Sequence, residues 1–253
     1  LAHQTADVAL AVDQVTKRFG GVVAVQDVSL HVPYGERHAL LGSNGAGKST
    51  LFSIIAGEYR PTAGRILLFG QDITRRSVAW RSRQGIGRTY QTALLFPTLT
   101  VRDHLYLAIR GCYSGRFSMR RARHDPHNEA ALALAEQVGL SKVLGRAVAS
   151  LSHGEQRQLE VGLSLAGNPR LVLLDEPAAG LSQSERDQLR DLLNALPRDL
   201  TIVLVEHDMD VALAVADQVT VMHQGQTIIS GTPDEIASNQ RVHDLYLGAH
   251  DER

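Results

Sequence analysis

Gly42-Ser43-Asn44-Gly45-Ala46-Gly47-Lys48-Ser49-Thr50 decides how this chain folds. Its spacing is G-x-x-x-x-G-K-[ST], a phosphate-binding loop. Glycines let the backbone curl until successive N–H groups point inward at phosphate oxygens. A helix opening at the end of such a loop adds its positive N-terminal pole. Lys48 supplies a point charge for β- and γ-phosphates, and Ser49 a hydroxyl for Mg²⁺. A Gly-rich strand-to-helix turn that happens to hold a lysine is the plainer alternative. The flanks argue against it. Arg37 to Leu41 reads as a short buried strand, and Leu51 to Ala56 as a helix closed by Gly57. The stretch therefore predicts a bound nucleotide.

A second stretch fits the same chemistry. In Leu171-Val172-Leu173-Leu174-Asp175-Glu176, a buried strand ends in two carboxylates. In open α/β sheets, ligands sit at the carboxyl ends of the strands. Asp175 is placed to hold Mg²⁺ through its water shell. Glu176 is then free to act as general base on an attacking water. A strand followed by a solvated acidic turn is the competing reading, and pairing with Lys48 weighs against it. Leu204-Val205-Glu206-His207-Asp208 repeats the layout; His207, just past a strand end, is a structural side chain or, from its position relative to Glu176, a γ-phosphate contact. Gln91 follows another short strand; it is a surface amide or a Mg²⁺ ligand that senses nucleotide. Ser152, with Glu155 three residues on, reads as a capping box opening a helix. That helix N-terminus is also an anion site.

Around these motifs the pattern is α/β. Val28, Leu30 and Val32 alternate with Ser29 and His31 within what read as paired N-terminal strands. Arg60 to Gly64 reads as a turn and Ile66 to Phe69 as a strand closed by Gly70. Residues 101–165 carry helical patterns. From Leu171 onward strands alternate with helices (184–195 and 208–216), and Gln224-Gly225-Gln226 joins a hairpin. Alternation of this kind implies a parallel sheet with helices on its faces. The chain has 253 residues and a formal net charge of −1, so a strongly basic nucleic-acid footprint is absent. No apolar run is long enough to span a bilayer. Cys112 is the only cysteine, which rules out an intramolecular disulfide. With no charged-then-apolar leader, the expected location is the cytoplasm.

Together these motifs resemble the ATP-binding subunits of ABC transporters, over nearly the whole chain. The resemblance rests on the loop at 42–50, Gln91, Leu151-Ser152-His153-Gly154-Glu155, the Asp175-Glu176 pair and His207, in that order. It implies a P-loop NTPase core with an N-terminal antiparallel β subdomain and an inserted helical subdomain. The expected single domain spans 1–253, with 1–91 and 166–253 as core plus β subdomain and 92–165 as the insertion. ATP and Mg²⁺ are the implied cofactors. Phe19 occupies the place of an adenine-stacking aromatic, with a core phenylalanine as the other reading. A head-to-tail dimer with a second, identical or related ATPase subunit is implied. Each ATP would touch one subunit's loop and the other's Ser152, Gly154 and Glu155 segment.

Asp175 to Leu181, Glu206 to Met209 and the ending Leu245 to Gly248 are most similar to ATPases of branched-chain amino-acid-type importers. The insertion near 110–128 fits that branch. From the short stretch after Pro233, the regulatory domain of sugar-type importers is not expected. The branch implies two polytopic membrane subunits, a periplasmic solute-binding protein acting indirectly, and a peripheral place on the inner face of the membrane. Gln91 and 92–99 would face the membrane subunits. Arg116 to Arg123 reads as a solvated loop, or as a contact with those subunits or anionic lipid. Alternatives are a lipid or lipopolysaccharide export ATPase and a nucleic-acid-associated ABC ATPase, although no nucleic-acid partner is expected. Two departures stand out. His153 and Glu155 replace the signature's more common Gly and Gln, and Ser182 stands where many relatives carry Asp. His153 is expected to give the ATPase rate a mild pH dependence, and Ser182 to alter coupling between the two ATP sites.

Overall fold

A computed structural model describes residues 8–89, 95–112 and 125–247. Gln91, the stretch Arg116 to Arg123 and Gly248 lie outside the described residues.

The chain opens with β1 (Val8–Phe19) and β2 (Val22–Pro33), a long antiparallel pair. Alternation along β2 puts Val28, Leu30 and Val32 inside, as the sequence pattern requires. Next come β3 (Arg37–Leu41), α1 (Lys48–Ala56), β4 (Ala63–Leu68) and β5 (Gln71–Asp72). β4 starts inside the stretch read as a turn. Gly64, at φ +86°, sits where the β1–β4 register shifts, and a Cβ there would strike the backbone of Asp13 and Gln14. Glycine thus marks a bulge within the strand rather than its boundary.

The chain continues through α2 (Val78–Arg83), β6 (Ile86–Arg88), α3 (Val101–Cys112), α4 (Pro126–Gln137) and α5 (His153–Leu165). It ends with β7 (Leu171–Asp175), α6 (Gln183–Ala195), β8 (Thr201–Glu206), α7 (Met209–Val215), β9 (Gln218–His223), β10 (Gln226–Gly231), α8 (Pro233–Ala237) and α9 (Gln240–Leu247).

Two sheets result. One is antiparallel, in the order β2-β1-β4-β5; the other runs β10-β9-β3-β8-β7-β6. In the second, β6, β7, β8, β3 and β9 are parallel, and β10 pairs antiparallel with β9 as the hairpin reading expects. β3, β7 and β8 are buried at every residue; β7 and β8 read as apolar runs up to their closing acids, and the buried Arg37 and His38 of β3 bond Asn194 and Thr220.

The parallel sheet separates two hydrophobic clusters. On one face Leu40, Leu171, Leu173, Val203 and Val205 meet α1 and the antiparallel sheet. On the other Ala39, Leu41, Val172, Leu174, Ile202 and Leu204 meet a continuous core that includes apolar residues of α3 to α7. β6 and β7 are neighbours in the sheet, yet α3, α4 and α5 all lie between them in the chain. Among the described residues, no helix is long and apolar enough to cross a membrane.

Candidate active site

The loop 42–47 leaves the carboxyl end of β3 and turns into α1. Gly47, at φ +97°, is the N-cap of α1. A Cβ on it would lie 2.5 Å from the Ala24 carbonyl and 3.2 Å from Gly225, so the loop is pressed between β2 and the β9–β10 turn. A cleft of about 360 Å³ opens there. Asn44 to Thr50 line it, with Val22 to Ala24 on one side and Glu176, Gln224 and Gly225 on the other. A larger cleft of about 540 Å³ lies between α2, β6 and the C-terminal ends of α3 and α5, away from the loop.

Lys48 is 4% exposed and spans the loop, its Nζ donating to the carbonyls of Gly42 (2.6 Å) and Ser43 (3.1 Å). Burial lowers its pKa, opposed by Glu176, Asp175 and Glu206. Ser49 is exposed at the cleft.

Asp175 ends β7 and is 3% exposed. Its backbone N–H donates to Thr89 Oγ1 at 3.0 Å, while its Oδ1 is buried with no hydrogen-bond partner. Desolvation raises its pKa to about 6, against the pull of Arg88 and Lys48. A buried acceptor oxygen lacking a donor suits a cation. Among the described residues no cluster of three or more His, Cys, Asp or Glu could hold a metal ion. That is compatible with Mg²⁺, which takes one or two protein oxygens and completes its shell with water and phosphate. Asp175 and Ser49 could supply those oxygens, and Gln91 lies outside the described residues.

Glu176 takes φ +47°, an uncommon backbone state for a residue with a side chain. Its N–H donates to Val205 O (2.9 Å) and its carbonyl accepts from Ala179 N–H (3.1 Å). The turn therefore faces its partly exposed carboxylate into the cleft. His207 Nδ1 lies 3.9 Å from Glu176 Oε2. Lys48, Asp175, Glu176 and His207 thus converge where the sequence expects them, at the carboxyl ends of adjacent strands.

Sequence reading missed two supports. Thr89, on the neighbouring strand end, holds the Asp175 backbone. Glu206 is fully buried, and its Oε1 accepts from Ala178 N–H at 2.9 Å, which pins the turn after Glu176. Burial raises the Glu206 pKa. An acidic residue closing a wholly apolar strand was the available signal.

Phe19 is not a core residue. It is 43% exposed at the β1–β2 hairpin, edge-on to Tyr59 (centroids 5.3 Å apart), with Lys17 Nζ 4.8 Å from its ring centre. Ser152 caps α5 as read, its Oγ accepting from Glu155 N–H (3.2 Å) and its N–H donating to Glu155 Oε2 (2.8 Å). The Glu155 carboxylate also pairs with Arg146. Gly154 N–H donates to Glu185 Oε1 at 2.8 Å. Ser152, Gly154 and Glu155 do not line the cleft around this chain's own loop.

A phosphate loop, a strand-end Asp-Glu pair and a strand-end histidine on a parallel sheet, with helices entering between neighbouring strands, define an ABC-type ATPase cassette. The family described as ABC transporter matches residues 25–179, and the chain belongs to it. The chain is 37% identical to the high-affinity branched-chain amino acid transport ATP-binding protein LivG of Escherichia coli (strain K12), over 94% of this chain and 97% of that one. Among solved structures it is similar to the ADP conformation of MJ1267, an ATP-binding cassette of an ABC transporter. There the TM-score is 0.85 and the identity 28%, over 95% of this chain and 99% of the other. It is also similar to a dimeric post-hydrolysis structure of the cassette MJ0796 bound to ADP and Pi, with TM-score 0.76 and 25% identity over 88% and 98%.

Proposed function

We propose that this chain is the ATPase subunit of an importer for branched-chain amino acids or a related small polar solute, working as a head-to-tail dimer. The observation that carries the reading is a cleft lined by the loop, Lys48 and Glu176, with Asp175 acting on the Lys48 charge and His207 3.9 Å from Glu176. The loop amides from Gly42 to Thr50 and Lys48 bind the phosphates, and Phe19 stacks on adenine. Glu176 takes a proton from water attacking the γ-phosphorus in line, and His207 contacts the γ-phosphate. Ser49, Asp175 and Gln91 would hold Mg²⁺, which when bound offsets charge on the β- and γ-phosphates.

Ser152 and Gly154 lie away from their own cleft, at the capped start of α5. The dimeric state named for the related cassette MJ0796 supports assigning that segment to a partner's ATP. The inserted stretch 92–165 would carry it there. Likeness to LivG along almost the whole chain supports the importer branch. It implies two polytopic membrane subunits, a periplasmic binding protein that selects the solute, and a place on the inner membrane face.

Replacing a positioned general base removes roughly 10²–10⁴ in rate. Glu176→Gln is expected to keep ATP affinity, accumulate an ATP-bound dimer and lose turnover on that scale. Hydrolysis at the unchanged rate would sink the assignment of the base. Affinity capture from membranes is expected to recover two polytopic proteins; ribosomes or DNA ends in their place would contradict the importer reading.

A further inference from the structure

Adjacent residues in the first turn of α6 reach in opposite directions. Glu185 Oε1 accepts the Gly154 N–H (2.8 Å), 31 residues away at the start of α5. Its Oε2 accepts from Ser182 N–H (2.9 Å) and the Ser182 hydroxyl (2.7 Å). These donors, Ser182 first and then Gly154, hold the Glu185 carboxyl below the usual range. The fit is close: a Cβ on Gly154 would come within 2.9 Å of Glu185 Cγ. Arg186 reaches the other way. Its Nη1 pairs with Asp208 Oδ2 at 2.7 Å, and its Nε donates to Leu181 O at 3.1 Å. Asp208 is the N-cap of α7, accepting from Val211 N–H, and directly follows His207.

Further contacts knit the same parts. A Cβ on Gly180 would lie 2.9 Å from His153 Cε1, and Arg157 donates to Ala179 O at 3.4 Å. The segment 152–154 is thereby joined through 179–186 to the turn that carries His207. Ser182 has no carboxylate, and Glu185, one helical turn on, supplies one.

We propose that Glu185 and Arg186 are positioning residues that set the Ser152–Gly154 segment and the His207 turn together, so each subunit mechanically links its partner's ATP to its own. The proposal rests on the dimer reading above. Neither residue touches nucleotide. Glu185 orients the segment facing one ATP, and Arg186 orients the histidine facing the other.

The test uses the purified full chain and ATP hydrolysis measured against ATP concentration. Glu185→Asp keeps the charge and falls one methylene short of Gly154; Arg186→Gln keeps a polar side chain and loses the pair with Asp208. Each is expected to bring the Hill coefficient to near 1 and lower kcat about 5-fold, with affinity for a fluorescent ATP analogue unchanged. Two ends of one link must act non-additively, so the double variant is expected to match the singles; residues that couple deviate from additivity. Multiplying kcat losses, or a lower Tm with an unchanged Hill coefficient, would reduce both residues to helix caps and overturn the link. Should Glu185→Asp fold poorly, hydrogen exchange at the Gly154 amide of Arg186→Gln decides. Faster exchange than in the unchanged chain supports the link, and equal exchange overturns it. If the unchanged chain shows neither cooperativity nor an ATP-dependent Glu176→Gln dimer, the dimer reading itself fails, and that result needs no substitution at 185 or 186.

Discussion

Asp175→Asn is expected to make the chain more stable and less active, and pH separates the two effects. Asp175 is 3% exposed with one carboxylate oxygen unpartnered, and burial raises its pKa from 3.8 to about 6. An acid whose folded pKa is raised holds its proton more tightly folded than unfolded. Its ionisation therefore opposes folding, and stability falls as pH rises from about 4 through 6. The two values differ by about 2.2, which corresponds to about 3 kcal/mol of destabilisation once the group is ionised in both states. At pH 4.5 the native carboxyl is still protonated and the loss is only about 1 kcal/mol. The asparagine does not titrate. Its advantage over aspartate in urea unfolding should thus grow by about 2 kcal/mol between pH 4.5 and 8. A constant offset from the amide's own unpaired donors does not alter that slope. Glu160 and Glu206, whose pKa values are also raised by burial, occur in both proteins and cancel. ATP turnover is expected to be lost, because the amide carries no charge for Mg²⁺. Parallel stability curves across this pH range would refute the argument, whatever the activity.

Two further outcomes follow from the geometry. Arg81 is 1% exposed, and its guanidinium donates to the carbonyls of Ile54 (2.7 Å) and Ile55 (2.5 Å) at the end of α1, and to Ile73 (2.7 Å). Arg81→Met takes the donor from the Ile55 carbonyl, while Gly57 N–H still donates to Ile54 O and Arg76 N–H to Ile73 O; at about 1–3 kcal/mol for a buried acceptor left unpaired, a loss of roughly 1–3 kcal/mol in urea unfolding is expected, and less than about 0.5 would contradict the capping role. Phe19→Ala should weaken ATP binding about 2–10-fold, on the scale of an aromatic contact, and leave inorganic triphosphate affinity unchanged in calorimetry. Equal losses for both ligands would remove Phe19 from the adenine contact.

What the sequence made legible is what depends on neighbours along the chain. The loop from Gly42 to Thr50, the Asp175-Glu176 pair and the Ser152–Glu155 cap are each set within a few residues. Supports that cross the fold were not legible. Thr89 meets Asp175 across 86 residues, Glu206 meets Ala178 across 28, and Glu185 meets Gly154 across 31. No periodicity encodes such pairs, because the strand order β3-β8-β7-β6 sets them. Ser182 shows the limit most plainly. From sequence it is a missing carboxylate, whereas in the fold its hydroxyl binds the carboxylate that reaches Gly154.

The two buried acids at the strand ends do different work, and strand geometry says which does what. In parallel strands, residues in register point to one face, and successive residues alternate. Asp175 is level with Val205. It continues the row of Leu171 and Leu173, whose face packs α1, so its carboxylate belongs with the phosphate loop. Glu206 is level with Leu41 and continues the row of Ile202 and Leu204, on the opposite face. It is turned from the loop toward the backbone after Glu176, where it meets Ala178. Both are carboxylates closing apolar strands, yet only Asp175 is set to meet a cation shared with phosphate. A one-residue slip of β7 against β8 would carry Asp175 to the far face.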